Sequence, residues 1–207
     1  MTDIAVNQKT LDTTLNSAVK KSFNRITVDG DMSTNDTALM MANGILGNPQ
    51  ITEKSESYPV FAKSLHEVAY ELSKLIAKDG EGATKLIEIE VKGARSEADA
   101  ERAAFSVANS NLVKTALYGN DANWGRIMTA LGYSGIPIKE EKTDIRFGKV
   151  KIVSKGLSTG KDDEAGEVLK GKNIKIVIDL HLGKSVATVL TCDMTEEYIR
   201  VNAAYRT

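Results

Sequence analysis

Three short polar segments, two histidines and one cysteine carry the residue types in this chain that could do chemistry. Residues 29–36, Asp-Gly-Asp-Met-Ser-Thr-Asn-Asp, place three carboxylates, two hydroxyls and an amide around a glycine hinge. A turn or a helix cap needs only one or two such side chains, so the surplus points to a site. Oxygen-bearing side chains alternate at Asp29, Asp31, Ser33 and Asn35, as in a calcium loop. The EF-hand pattern needs Gly at its sixth position and Glu at its twelfth, where this chain has Thr34 and Met40. The calcium reading fails on both, and a turn with a cap is the plain alternative.

Residues 78–85 set Glu81 between Gly80 and Gly82. Glycines let a backbone approach a ligand closely, and a carboxylate so flanked could pair with a substrate ammonium. The plain alternative is a solvated glutamate. Residues 118–126 gather the only tryptophan, Trp124, with Asn120, Asp121, Asn123 and Arg126. Loops of this kind often carry sites, but a cap at Asp121 or Asn123 with Trp124 as a packing anchor explains the segment equally well. His66 and His181 have no partner at metal or triad spacing. Cys192 has no nearby histidine to activate it and reads as a buried structural thiol. No metal site and no cofactor is expected.

The elements that must position these groups follow from apolar spacing. Over residues 9–23, Leu11, Leu15, Ala18, Val19 and Phe23 recur every three or four positions, which predicts a helix. The apolar run 38–42 reads as a helix start or a buried strand, and residues 44–59 as turns and loop. The clearest helix is 60–77, with Phe61, Leu65, Val68, Leu72, Leu75 and Ile76 on one stripe. Alternation of Ile87, Ile89 and Val91 with charged residues predicts a half-buried strand stopped by Gly93. Ser96 with Asp99 opens a helix to about residue 109, and residues 123–131 form a shorter one. Strands are expected at 145–153, 174–180, 186–190 and 198–205, with an exposed loop over 154–171. The class is therefore α/β, in the mixed α+β sense. Helices should pack on a largely antiparallel sheet in one compact unit, residues 1–207.

Composition narrows the function. A formal net charge of −1 offers no basic footprint for nucleic acid, and 5% aromatic content argues against base-stacking platforms. One cysteine cannot form an internal disulfide, so a reducing, cytoplasmic compartment is expected. No membrane-spanning run and no signal peptide is legible.

Taken together, the motifs resemble one family, the ornithine acetyltransferase or glutamate N-acetyltransferase family of arginine biosynthesis. The resemblance rests on Ser22-Phe23-Asn24-Arg25-Ile26-Thr27-Val28-Asp29-Gly30-Asp31 with Ser33-Thr34-Asn35-Asp36, and on Glu81-Gly82-Ala83-Thr84-Lys85. It continues through Leu112-Val113-Lys114-Thr115-Ala116 with residues 119–126, and ends in residues 198–207. These segments span nearly the whole chain in the family's order. The resemblance implies a layered N-terminal-nucleophile architecture and a precursor that cuts itself at an Ala-Thr bond. This chain looks like the resulting β chain, which pairs with the α chain of the same precursor in an α2β2 heterotetramer.

The family's freed N-terminal threonine takes the acetyl group of N-acetylornithine and passes it to glutamate in a ping-pong transfer. Donors on the α chain would form the oxyanion hole. Acetyl-CoA as a further donor is left open. Carried over by position, Glu81 would hold the substrate ammonium, and Asn202 and Thr207 would complete the substrate pocket. Alternation along 198–203 is expected to put Asn202 on the polar side of a strand.

Two departures stand out. Family β chains usually begin Thr-Met-Leu, whereas this sequence opens Met1-Thr2-Asp3, and Thr2 matches a later threonine. The expected catalytic nucleophile is therefore not among these residues. Ala204 also stands where the family commonly has Asp. Two rivals accompany the acetyltransferase reading: an N-terminal-nucleophile amidase or aminopeptidase of the same fold, and a nucleophile-less chain whose role is to associate.

Overall fold

A computed structural model describes residues 1–204. The chain divides into two compact units rather than the single one expected. The first comprises Met1–Arg25 and Met32–Leu75, and the second Ile26–Asp31 with Ile76 onward. No linker composition marks the division, because one of its boundaries falls inside a continuous helix.

In the first unit, helix α1 (Gln8–Lys21) is capped by Asn7, whose Oδ1 accepts from the N–H groups of Lys9 and Thr10. Helix α2 (Tyr58–Lys78) begins in this unit and ends in the other. Leu11, Ile51 and Phe61 form a small core, with Ile4, Val6, Met40 and Leu65 packed on it. Single parallel bridges join Thr2 to Ala42 and Val6 to Ile51. Residues 38–42 form neither helix nor buried strand: one bridge is all the pairing they find, and Leu39 is exposed. The buried face of α2 runs through Phe61, Ala69, Ser73 and Ala77 and so coincides only in part with the expected apolar stripe. Phe61 is buried, while Val68, Leu72 and Leu75 are exposed.

The second unit is built on a six-stranded sheet of order β4-β3-β2-β5-β1-β6. Its strands are β1 (Leu86–Ala94), β2 (Asp144–Phe147), β3 (Val150–Ser154), β4 (Leu157–Ser158), β5 (Asn173–Asp179) and β6 (Ser185–Cys192). The β1–β5 pair is parallel and the other pairs are antiparallel. Period-two alternation puts Ile87, Ile89 and Val91 beside Ile174, Ile176 and Ile178 on one buried face. Glu88 and Glu90 project to the opposite face and pair with Lys175 at 2.8 and 2.7 Å. Helix α3 (Glu97–Ala108) covers the apolar face with Ala100, Ala103, Ala104, Val107 and Ala108, small side chains that permit a close approach. Its cap is the expected one: Ser96 Oγ accepts from the Asp99 N–H at 3.1 Å.

Helices α4 (Asn111–Tyr118) and α5 (Trp124–Gly132) follow, each started by a polar cap at Ser110 and Asn123. Four expectations change. Residues 145–153 form not one strand but a hairpin, turned at Gly148, which adopts a positive φ of 54°. Gly93 does not end β1 but sits at an irregularity in its pairing with β6. Residues 154–171 are not an open loop, since they contain β4 and helix α6 (Asp162–Leu169), whose Ala165 and Leu169 are fully buried. That spacing of apolar residues was hidden in a Gly-, Asp- and Lys-rich segment. Residues 198–204 are not a strand: Glu196–Ala204 is helix α7. After β6 the chain leaves the sheet. Thr195 Oγ1 accepts from the Tyr198 N–H, and Glu196 and Glu197 occupy the first turn, where negative charge favours a helix.

Candidate functional site

The register of two strands brings the site together. Leu86, the first residue of β1, lies opposite Cys192, the last of β6. The segment entering β1 and the segment leaving β6 are therefore neighbours at one end of the sheet. Asp193 secures them: its Oδ1 accepts from the N–H groups of Thr84 and Lys85 at 2.8 and 2.9 Å, and its Oδ2 from the Thr84 hydroxyl. Residues 26–31 reach the same end by another route. Ile26 bridges Leu190 in parallel, with the Thr27 N–H donating to the Leu190 carbonyl, so the chain runs along β6 and delivers Asp29 beyond the end of that strand.

Two lysines stiffen this end from below. Lys114 of α4 is fully buried and donates to Thr191 Oγ1 at 3.0 Å and to the Cys192 carbonyl. Burial pushes its ammonium down, against the opposing pull of Cys192, Asp193 and Asp29. Lys85 donates to the Leu117 carbonyl and to Asn120 Oδ1, and burial lowers it as well, opposed by Asp193. Asn120 adopts a positive φ of 56° in doing so. Burial pushes the Cys192 thiol up, so it stays protonated at neutral pH and packs as a core residue.

Glu81 and Asn202, separated by 121 positions, meet here: Asn202 Nδ2 donates to Glu81 Oε2 at 2.6 Å and to the Tyr198 carbonyl at 3.0 Å. Both are exposed at the rim. Asn202 arrives by helical spacing, one turn after Tyr198, and not by strand alternation. Tyr198 in turn donates its hydroxyl to Asp29 Oδ2 at 2.9 Å. Partial burial and that Asp29 contact push the phenol up to about 12, with Glu81 and Asp31 adding to the effect. Gly82 fits closely against the start of α7: its carbonyl accepts from Thr195 Oγ1 at 2.7 Å, and a Cβ there would lie 2.6 Å from the Tyr198 nitrogen. Thr207 lies outside the described residues.

The other segments are mostly absorbed by local structure. In 29–36, only Asp29 reaches the site. The Asp31 N–H bonds Asp29 Oδ1, Asn35 bonds Ser33, and residues 32–36 are exposed. In 118–126, Asn123 caps α5 and Arg126 donates to the Leu112 carbonyl at 2.8 Å, so the plain reading holds apart from Asn120. His181, at φ 50°, lies between Asp144 and Asp179 at 3.4 and 3.5 Å. That is the opposite end of β1 from Glu81, about 25 Å along the strand. Among the described residues no group of three or more His, Cys, Asp or Glu is arranged to hold a metal ion, and no helix is long and apolar enough to cross a membrane. The sequence reading missed Tyr198 and Lys114 as parts of the site. Tyr198 was legible only as a strand residue, and nothing local marks Lys114 as buried.

The fold and this polar end define a mixed α/β chain in which a carboxylate and an amide from distant segments meet at one end of the sheet. A model of the ArgJ family matches residues 1–207. The arginine biosynthesis bifunctional protein ArgJ of Geobacter sulfurreducens is 54% identical over 209 residues, and the protein of the same name from Oceanobacillus iheyensis is 48% identical over 207. Each match covers 100% of this chain but only 53% and 51% of the relative, so the chain spans about half the length of these curated relatives. A crystal structure of the ArgJ protein from Bacillus halodurans superposes with a TM-score of 0.95 at 43% identity, covering 99% of this chain and 97% of that one. The chain belongs to the ArgJ family.

Proposed function

We propose that the chain is the β subunit of an ornithine acetyltransferase, or glutamate N-acetyltransferase, working with an α chain from the same precursor. The extent of the matches supports this reading: the chain covers half of its curated relatives, yet nearly all of one chain in a solved relative. In the reaction, a threonine hydroxyl outside these 207 residues attacks the acetyl carbonyl of N-acetylornithine. The C–N bond breaks, the ornithine amine leaves with a proton, and an acetyl-threonine ester remains. The amine of glutamate then attacks the ester, which restores the hydroxyl and yields N-acetylglutamate.

The role proposed for this chain is recognition. Glu81 receives the substrate ammonium in a charge-assisted contact, and Asn202 orients that carboxylate. The observation that carries this reading is the 2.6 Å contact between Asn202 and Glu81, which joins the two residues that the family resemblance selects on independent grounds. Thr207 is proposed as a third contributor.

Intact mass and N-terminal sequencing of the protein purified from its native gene test the reading, with a second mass measurement after exposure to N-acetylornithine. Two chains, a threonine N-terminus upstream of Met1, and the gain of one acetyl group that glutamate removes are the expected results. A lone chain that gains no acetyl group overturns the reading.

A further inference from the structure

We infer that Tyr198 is a positioning residue: its hydrogen bond to Asp29 fixes α7 so that Asn202, one turn later, sets the Glu81 carboxylate for the substrate ammonium. This inference rests on the recognition role proposed for Glu81. Three observations carry it.

Asn202 is exposed, and among the described residues its side chain hydrogen-bonds Glu81 and the Tyr198 carbonyl, so its placement depends on where Tyr198 sits. Tyr198 is in turn tied through its hydroxyl to Asp29, on a segment that is itself registered to β6. Finally, the backbone at Tyr198 lies directly over Gly82, the residue after Glu81, with no room for a side chain between them. A shift of α7 at Tyr198 therefore moves both Asn202 and the glycine hinge beside Glu81. Asp29 is well suited to anchor such a contact, because a carboxylate acceptor makes a stronger hydrogen bond than a neutral one.

Tyr198→Phe removes the hydroxyl and keeps the ring. In the purified native enzyme this variant is expected to raise KM for N-acetylornithine by on the order of tenfold, with kcat within about twofold of the parent. In an Asn202→Ala background the same substitution is expected to add clearly less than it does in the parent, because part of the effect travels through Asn202. KM effects that multiply in the double variant would overturn the inference.

Hydrogen exchange of the same proteins without substrate supplies a readout that does not depend on the reaction. Faster exchange in both 196–204 and 80–84 on Tyr198→Phe is expected, and unchanged exchange in 80–84 sinks the inference whatever the activity. Loss of activity in the parent enzyme would instead count against the acetyltransferase reading and leave the exchange experiment to decide the positioning role.

Discussion

At the scale of single residues, the site depends on a few charges that the fold places at one end of the sheet. Glu81→Gln keeps the shape and the acceptor oxygen that meets Asn202 but removes the charge offered to an ammonium. It is expected to weaken N-acetylornithine binding by about 1.5–3 kcal/mol, measured as the Michaelis constant, and an unchanged value would remove Glu81 from the site. Tyr198 makes a pH prediction. Its phenol is raised from 10.0 to about 12 in the folded chain, so folding favours the protonated form. The stability this contributes is fully present below pH 10 and is lost as the pH rises from 10 towards 12. Absorbance titration at 295 nm should show one tyrosine fewer ionising near pH 12 in Tyr198→Phe than in the parent. At this scale the sequence was informative about Glu81, because a carboxylate between glycines is a local pattern. It was silent about Lys114, whose burial is decided by Thr191 and Cys192, 77 and 78 positions away.

At the scale of elements, close contacts make two substitutions diagnostic. Gly82 adopts a φ of +66°, and a Cβ there would collide with the backbone of α7. Gly82→Ala is expected to cost at least about 1–2 kcal/mol from the left-handed backbone alone, and to raise KM as α7 is displaced. Denaturant unfolding with steady-state kinetics on the same preparation reads both effects. At the far end of the sheet, partial burial would raise the Asp144 carboxyl. Hydrogen bonds from Lys151, the Lys155 N–H and His181 outweigh it and hold the group at about 2. The contribution is present above pH 3.8 and is lost as the pH falls towards 2, and the shift amounts to about 2 kcal/mol. Asp144→Asn should therefore lower unfolding stability by about that amount at neutral pH and by little at pH 2. α1, α2, β1, α3, β5 and β6 were legible because each carries its own apolar period. α7 was not, because its six alternating residues fit a strand equally well, and the start that Thr195 gives the helix depends on tertiary placement against Gly82.

At the scale of the whole molecule, the first unit leaves a largely apolar cavity of about 520 Å³, lined by residues that include Leu15, Phe23, Leu39, Phe61, Leu65 and Leu72. Val68 and Leu72 of α2, which also line it, are exposed. Apolar surface of this kind drives association. The chain produced alone should therefore sediment as oligomers or precipitate, and Leu72→Asp should shift it towards the monomer in analytical ultracentrifugation. A parent chain that is monomeric at micromolar concentration would count against this. The sequence by itself determined the class of fold and the family, and through the family resemblance named Glu81 and Asn202 as separate candidates. Apolar periods and short motifs are local and survive without coordinates. The tertiary structure alone decided that the chain forms two units, that residues 198–204 are helical, and that Asp29, Tyr198, Asn202 and Glu81 make one connected wall. Those outcomes depend on which strand ends are neighbours, and strand register is set by packing between segments a hundred residues apart, which no local window of sequence contains.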